Sequence, residues 1–148
     1  MNDTASRPSA PMSFWIISGL SLIWNSFGGL DYTMTRMRNL EWVKMAGDPQ
    51  EVLAWVDSFP MWAAAAYGFG VWGSVAGSIL LLLRSRHAVT AFVVSLVGAV
   101  ISFGAQMSIP VPPSLATPAN QIMPIVILAV IALLVWYSRR MAARGIIS

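Results

Sequence analysis

The chain contains no cysteine and a single histidine, His87. Disulfides and cysteine-ligated iron–sulfur clusters are thereby excluded, and one histidine is too few for a zinc site built by one chain. No Ser/His/Asp set exists beyond that lone imidazole, so the sequence gives no support to an enzyme. Charge is equally scarce. Of 148 residues 10% are charged, with six Asp and Glu against nine Lys and Arg, whereas soluble domains carry about 25%. Charge vanishes altogether between Arg7 and Asp31, between Asp57 and Arg84, and from Ala88 to Ser138.

What fills these gaps is apolar: 57% of the chain is hydrophobic. Pro110, Pro112, Pro113 and Pro118 divide the longest run in two. Roughly 20 apolar residues are needed to cross about 30 Å of hydrocarbon as a helix. The sequence therefore predicts an all-α membrane protein, with four transmembrane helices in a bundle near residues 12–32, 59–83, 88–108 and 119–138. A polar leader, 1–11, precedes them and a basic tail, 139–148, follows. The first run also resembles a signal peptide, but its leader has one arginine, and Gly28, Gly29, Leu30 and Asp31 make a poor cleavage site. It is read as a retained helix.

Arg7, Arg84, Arg86, Arg139, Arg140 and Arg144 fall on one side of these spans, six of the nine basic residues. The other side has Arg36, Arg38 and Lys44, offset by Glu41, Asp48, Glu51 and Asp57. Because short cytoplasmic loops are enriched in Lys and Arg, Arg84, Arg86, Arg139 and Arg140 mark the cytoplasmic face of the membrane, with both termini cytoplasmic. Trp15, Trp62, Trp136 and Tyr137 lie where interfacial aromatic belts are expected. The net charge of +3 is no nucleic-acid footprint, since the basic residues sit at helix ends.

The outer loop, 33–58, holds the stretch DPQE. Asp48 as N-cap, Pro49 at the first helical position and Glu51 as a capping-box carboxylate predict a short surface helix over 49–57. Ser58 before Pro60 suggests a cap for the second span. Asn120 does the same for the fourth, with a start near Ala119 and a kink at Pro124.

Small and polar residues recur at helical spacing. They are Ser18, Ser21, Asn25, Gly28 and Tyr32 in the first span and Ala63, Ala66, Gly70, Gly73 and Gly77 in the second. The third has Ala91, Ser95, Gly98, Ser102 and Ala105. Helices in lipid associate through close backbone approach, which small residues permit. Gly28, Gly70, Gly73, Gly77, Ser95, Gly98 and Ser102 are thus expected at helix contacts. The fourth span, rich in Ile, Leu and Val, is expected outermost, with Ile131 toward lipid.

Polar groups inside these spans are the candidate solute contacts. Asn25 lies near mid-membrane in the small-residue stripe, and serves either as interhelical glue or as a solute or ion contact. Asp31, about 100° from the stripe's centre, is either an interfacial carboxylate near Arg36 and Arg38 or a proton-coupling acid. Trp24 and Trp72 are packing or sugar-stacking aromatics, and Tyr32 ends the polar stripe of the first span. Gln106 is placed to meet Asn25 or Tyr32 or to hold the proline-rich loop. His87 belongs to the basic RSRH turn.

The stretches LIWNSFGGLDYTMT, SFPMWAAAAYGFGVWGSVAGSILLLLRSRHAV and WYSRRMAARG together resemble a family of small inner-membrane proteins of proteobacteria, loosely labelled sugar transporters. That resemblance implies four helices and solute movement, with Trp24, Asn25, Asp31 and Tyr32 as the positions of interest, and no catalytic residue or cofactor. The expected function is a transporter component for a small polar, sugar-like solute. A carrier of this size needs a homo-oligomer or a partner membrane protein, since no internal repeat is visible. A non-transporting accessory protein is the alternative.

Overall fold

The computed structural model describes residues 7–148, so the first six residues of the expected leader lie outside it. It is all-helical: α1 (Met12–Arg36), α2 (Leu40–Val43), α3 (Pro49–Asp57), α4 (Met61–Leu82), α5 (His87–Met107) and α6 (Pro118–Ala143), with a 3₁₀ turn at Pro113–Leu115. No strand occurs among the described residues. Three helices, α4, α5 and α6, are long and apolar enough to cross a membrane. Although α1 has 25 residues, its serines, glycines, Asn25 and Asp31 keep it below the apolarity the other three reach.

The long helices pack in sequence, α1 on α4, α4 on α5 and α5 on α6. The α4–α5 contact is the tightest. A Cβ added at Gly98 would lie 2.6 Å from the Ala66 carbonyl oxygen and 2.9 Å from the Gly70 nitrogen. One at Gly77 would lie 2.7 Å from the Phe92 ring. Gly73 meets Ser95 and Ala91, and the Ser95 hydroxyl donates to the Gly70 carbonyl at 2.5 Å. Ser102 is buried on the same face. These are the approaches that small residues permit.

Two expectations about packing are corrected. Gly28 has nothing within 4 Å of an added Cβ, whereas Gly29 meets Trp72 and Val75 at 3.4 to 3.6 Å. The contact face of α1 runs Ser18, Ser21, Asn25, Gly29, and at 100° per residue this choice turns Gly28 aside. Ile131 is 3% exposed rather than lipid-facing, while Leu133 on the same helix is 62% exposed.

At one end, Phe14, Leu81, Ala88, Phe92, Leu134, Met141, Ile146 and Ile147 form a fully packed cluster. The expected free tail is therefore partly structured: α6 continues to Ala143 and the chain then folds back. Arg84, expected as an exposed topology residue, is half-buried and holds this end together. Its Nε donates to the Ile146 carbonyl at 2.8 Å and its Nη2 to the Pro8 carbonyl at 2.5 Å. Arg86 and Ser148 add two backbone bonds, Arg86 N to Ser148 O at 3.2 Å and Ser148 N to Arg84 O at 3.0 Å. Pro8, the α4–α5 turn and Ser148 thus share one end.

Arg84 is also a backbone device. It follows α4 with φ +55°, and Ser85 N bonds back to Leu80 O at 2.9 Å. Arg38 closes α1 in the same way, with φ +56° and an Asn39 N to Met34 O bond of 3.0 Å, and Gly145 closes α6. This left-handed seat is usually taken by glycine, and costs other residues roughly 1–2 kcal/mol. Each arginine also makes side-chain bonds from that seat; Arg38 grips Asp57 with 2.7 and 2.8 Å contacts. That bond raises the Arg38 pKa further above its ordinary value.

At the opposite end α2, α3 and the 3₁₀ turn form a cap around Val43, Val52 and Leu115. Asp48 caps α3, accepting from Gln50 N and Glu51 N at 3.1 Å. Glu51 does not complete the expected box. It accepts instead from Ser114 N at 3.2 Å, and Asp48 N donates to Ser114 Oγ at 3.0 Å. The reciprocity of a capping box is here shared between two loops. Ser58 bonds back to Trp55 rather than capping α4. Thr117, not Asn120, caps α6, and Asn120 Nδ2 reaches Ala46 O at 3.0 Å.

Close packing at some glycines and open space at others gives a contrast within one helix pair. Gly98→Ala is expected to lower stability by about 1–3 kcal/mol through overpacking. Gly104→Ala, with nothing within 4 Å, should raise it by about 0.5–1 kcal/mol. Thermal denaturation in detergent reads both; equal shifts would show that the α4–α5 crossing is looser than described.

Candidate functional site

A seam of polar side chains joins α1 to α4. Asn25, 5% exposed, donates from Nδ2 to Ser78 Oγ at 2.8 Å and to the Ser74 carbonyl at 3.2 Å. Ser21 Oγ lies 2.8 Å from the Ser18 carbonyl and 3.1 Å from Ser78 Oγ, so its one proton serves one or the other. Ser74 and Ser78 stand one turn apart on α4, beside the glycine stripe. In a medium without water each such bond satisfies a group that is costly to leave unpaired.

Beside this seam lies a cavity of about 360 Å³. Four long helices and α2 contribute to it. From α1 come Trp24, Asn25, Gly28 and Asp31, residues at 24, 28 and 31 being one helical face. Tyr67, Gly70 and Ser74 come from α4, Ala99 and Phe103 from α5, and Met123, Ile127 and Ile131 from α6. Trp42 of α2 closes the cap end, donating from Nε1 to Asp31 Oδ1 at 2.8 Å. The walls are mainly apolar and aromatic, with a few polar groups, which is the usual make-up of small-molecule sites.

Asn25 belongs to both structures. Its Nδ2 is used by α4, while among the described residues its Oδ1 accepts no hydrogen bond. Asp31 likewise uses one oxygen for Trp42. Two cavity-lining residues, six positions or about 9 Å apart along α1, thus each keep an acceptor oxygen without a hydrogen bond from the described residues. The acid's partner is an indole and not Arg36 or Arg38, as the sequence suggested. Arg36 stacks over the Tyr32 ring at 5.4 Å, and Arg38 is held by Asp57.

Of the six nominated binding residues, Trp24, Asn25 and Asp31 line the cavity. Tyr32 and Trp72 do not. Tyr32 packs on cavity-lining Tyr67 at 5.7 Å and meets Trp72 edge-on at 6.0 Å, so both support the wall from behind. Gln106 is remote: it donates to Ser102 Oγ of its own helix at 3.2 Å and meets neither Asn25 nor Tyr32. Trp42, Tyr67, Ser74 and Ser78 escaped the sequence reading. For the two serines there was a signal, a polar pair four apart flanking Gly73 and Gly77. For Trp42 there was none, since a loop's path over a helix end has no period.

Among the described residues no group of three or more His, Cys, Asp or Glu side chains is placed to hold a metal ion. His87 opens α5 at the tail end, exposed. No family model, curated protein or solved structure matches the chain.

The Trp42–Asp31 bond is the polar contact that ties α2 to the cavity-lining face of α1. Asp31→Ala should speed hydrogen exchange of the Trp42 indole by about tenfold, equivalent to about 1.4 kcal/mol. Asp31→Asn, which keeps an acceptor, should have a smaller effect. Indole-resolved NMR checks both, and unchanged exchange in Asp31→Ala would show that Trp42 is held by packing alone.

Proposed function

We propose that this is a four-span protein of a bacterial inner membrane, with α1 the fourth span and both termini cytoplasmic. Two observations support this reading. The large side chains Ile16, Leu20, Ile23 and Phe27 form one face of α1, 54–62% exposed, while Ser18, Ser21 and Asn25 are buried. Polar groups inside and apolar groups outside is an arrangement suited to lipid. Six of the eight arginines, Arg7, Arg84, Arg86, Arg139, Arg140 and Arg144, fall at the end that holds Pro8 and Ser148, and the described Asp and Glu side chains at the other, which by the positive-inside rule makes the former cytoplasmic. The chain lacks native cysteine, so single-cysteine labelling tests this directly. Ser114→Cys should react with a membrane-impermeant maleimide from outside intact cells, and Ser85→Cys only after lysis; the reverse pattern would refute the orientation.

Within that membrane the protein is proposed to act as an oligomeric transporter component for a small, sugar-like solute. The observation that carries this is the cavity with its two open acceptors, Asn25 Oδ1 and a carboxylate oxygen of Asp31, between aromatic walls. Hydroxyl donors match the acceptors, and the C–H face of a sugar ring matches Trp24 and Trp42. The packed cluster around Phe14 and Phe92 closes the tail end. That closure favours the second reading, an accessory subunit that holds a solute or a partner without carrying anything across alone.

Gly28→Leu is the cleanest probe, because its side chain enters open space and fills the cavity without disturbing a helix contact. In vesicles reconstituted with the pure protein, it should abolish binding and uptake across a panel of sugars and polyols while leaving thermal stability unchanged. Asn25→Leu should lose both solute binding and about 1–2 kcal/mol of stability. If folded wild-type protein binds solutes but moves none, the accessory reading stands; if it binds none, the cavity is a packing defect and the solute reading falls.

A further inference from the structure

We propose that a groove between α5 and α6 at the tail end binds the headgroup and upper acyl chain of an anionic phospholipid. The groove encloses about 410 Å³, is separate from the cavity beside Asn25, and owes nothing to the solute reading. Its floor is Leu96 of α5 with Ala132 and Val135 of α6, and its mouth carries Trp136, Arg139 and Arg140. Ala132 is an exposed position on α6, where a larger side chain would fill the groove that its methyl group leaves open. Arg139 lies seven residues beyond Ala132, about 10 Å along the helix, so the apolar floor runs inward from a cationic rim. That is the profile of a phospholipid's first methylenes below its phosphate.

Charge points the same way. Both ion pairs among the described residues, Arg38–Asp57 and Lys44–Glu41, are at the cap end. So are all five described Asp and Glu side chains: Asp31, Glu41, Asp48, Glu51 and Asp57. Neither guanidinium at the groove has a carboxylate partner, so nothing neutralises Arg139 and Arg140 from within the described chain. Arg140 lies over the Trp136 ring, 5.3 Å from its centroid. This holds a guanidinium at the depth where interfacial tryptophan sits. Arginine binds phosphate with paired N–H donors, and basic pockets between transmembrane helices are suited to anionic headgroups. A soluble anion would find the same charge but has no use for the apolar floor, and the floor is what assigns the site to lipid.

The test is thermal unfolding of the purified full chain in a neutral detergent, with phosphatidylglycerol or phosphatidylcholine added at equal mole fraction. Phosphatidylglycerol is expected to raise Tm by about 2–4 °C over phosphatidylcholine. The R139Q/R140Q double variant should lose that difference. Arg86→Gln, which removes one charge from the same end away from the groove, should keep it. Ala132→Leu leaves every charge in place and fills the floor; it too should lose the difference. This second variant keeps the test decisive should R139Q/R140Q fail to fold, and size-exclusion profiles report folding for each. Equal responses to the two lipids in the wild type would overturn the proposal. So would a response that survives in Ala132→Leu, or one lost equally in Arg86→Gln, since either would reduce it to surface charge. A matching shift from inorganic phosphate alone would overturn the lipid as ligand.

Discussion

Backbone contact between α4 and α5 sets the spacing on which the remaining packing depends. Where Gly98 lies against the Ala66 carbonyl and the Gly70 nitrogen there is no room for a single added carbon, and this approach draws the two helices into one unit. In lipid no hydrophobic force pushes helices together, because the acyl chains are as apolar as leucine. Close van der Waals contact and hydrogen bonds such as Ser95 to Gly70 must supply the association. The α4–α5 pair then offers one flank to α1 and the other to α6. The flanks differ in chemistry. The α1 flank is joined by hydrogen bonds through Asn25, Ser74 and Ser78, whereas α6 contributes Ile131 and Leu134, buried apolar contacts. A cavity remains where α1 and α6 both lean on this pair without packing on each other along its length.

The two ends of the molecule are finished by different means. At the tail end a single side chain, Arg84, gathers Pro8 and Ile146 around the α4–α5 turn. Its left-handed backbone directs the chain from α4 into α5, and its guanidinium satisfies carbonyls of two separate segments, at Pro8 and Ile146. At the cap end the work is divided among short polar links. Asp48, Glu51 and Ser114 exchange bonds across two loops, and Asn120 reaches Ala46. Few residues of the cap are buried, so these links and the small Val43, Val52 and Leu115 cluster define its position. The cap end thus has the smaller buried cluster of the two.

The helical elements were legible in the sequence because period and punctuation agree. The surface helix 49–57 was read to the residue from Asp48 and Pro49, and the spans to within a few residues, apart from the last, which runs on to Ala143. Contact faces on α4 and α5 were legible too, since glycine and serine at fixed intervals leave few alternatives. Gly28 and Gly29 show where that logic fails. Both continue the spacing from Asn25, at three and four residues, and only the position of Trp72 decides between them. Ile131 fails for a related reason: a helix apolar on all sides gives no period from which to choose its inner face. Tertiary links such as Trp42 to Asp31 and Arg84 to Ile146 were not legible, because they depend on where loops run.

Asn25 draws these lines together. A buried amide in a membrane helix can be structural or functional, and the usual inference treats these as alternatives. Here the geometry divides the group between them. The NH₂ end is saturated by Ser78 and Ser74, which fixes the side-chain rotamer and leaves no freedom for the oxygen to turn away. The C=O end, on a residue that lines the cavity, is thereby held in place, and a ligand that used it would incur little cost of ordering that side chain. The same division applies to Asp31, one oxygen holding Trp42 and the other open. Each acceptor is held by a contact that is itself structural. The packing seam and the candidate solute site thus rest on the same side chains, and a substitution that alters one role alters the rigidity on which the other depends.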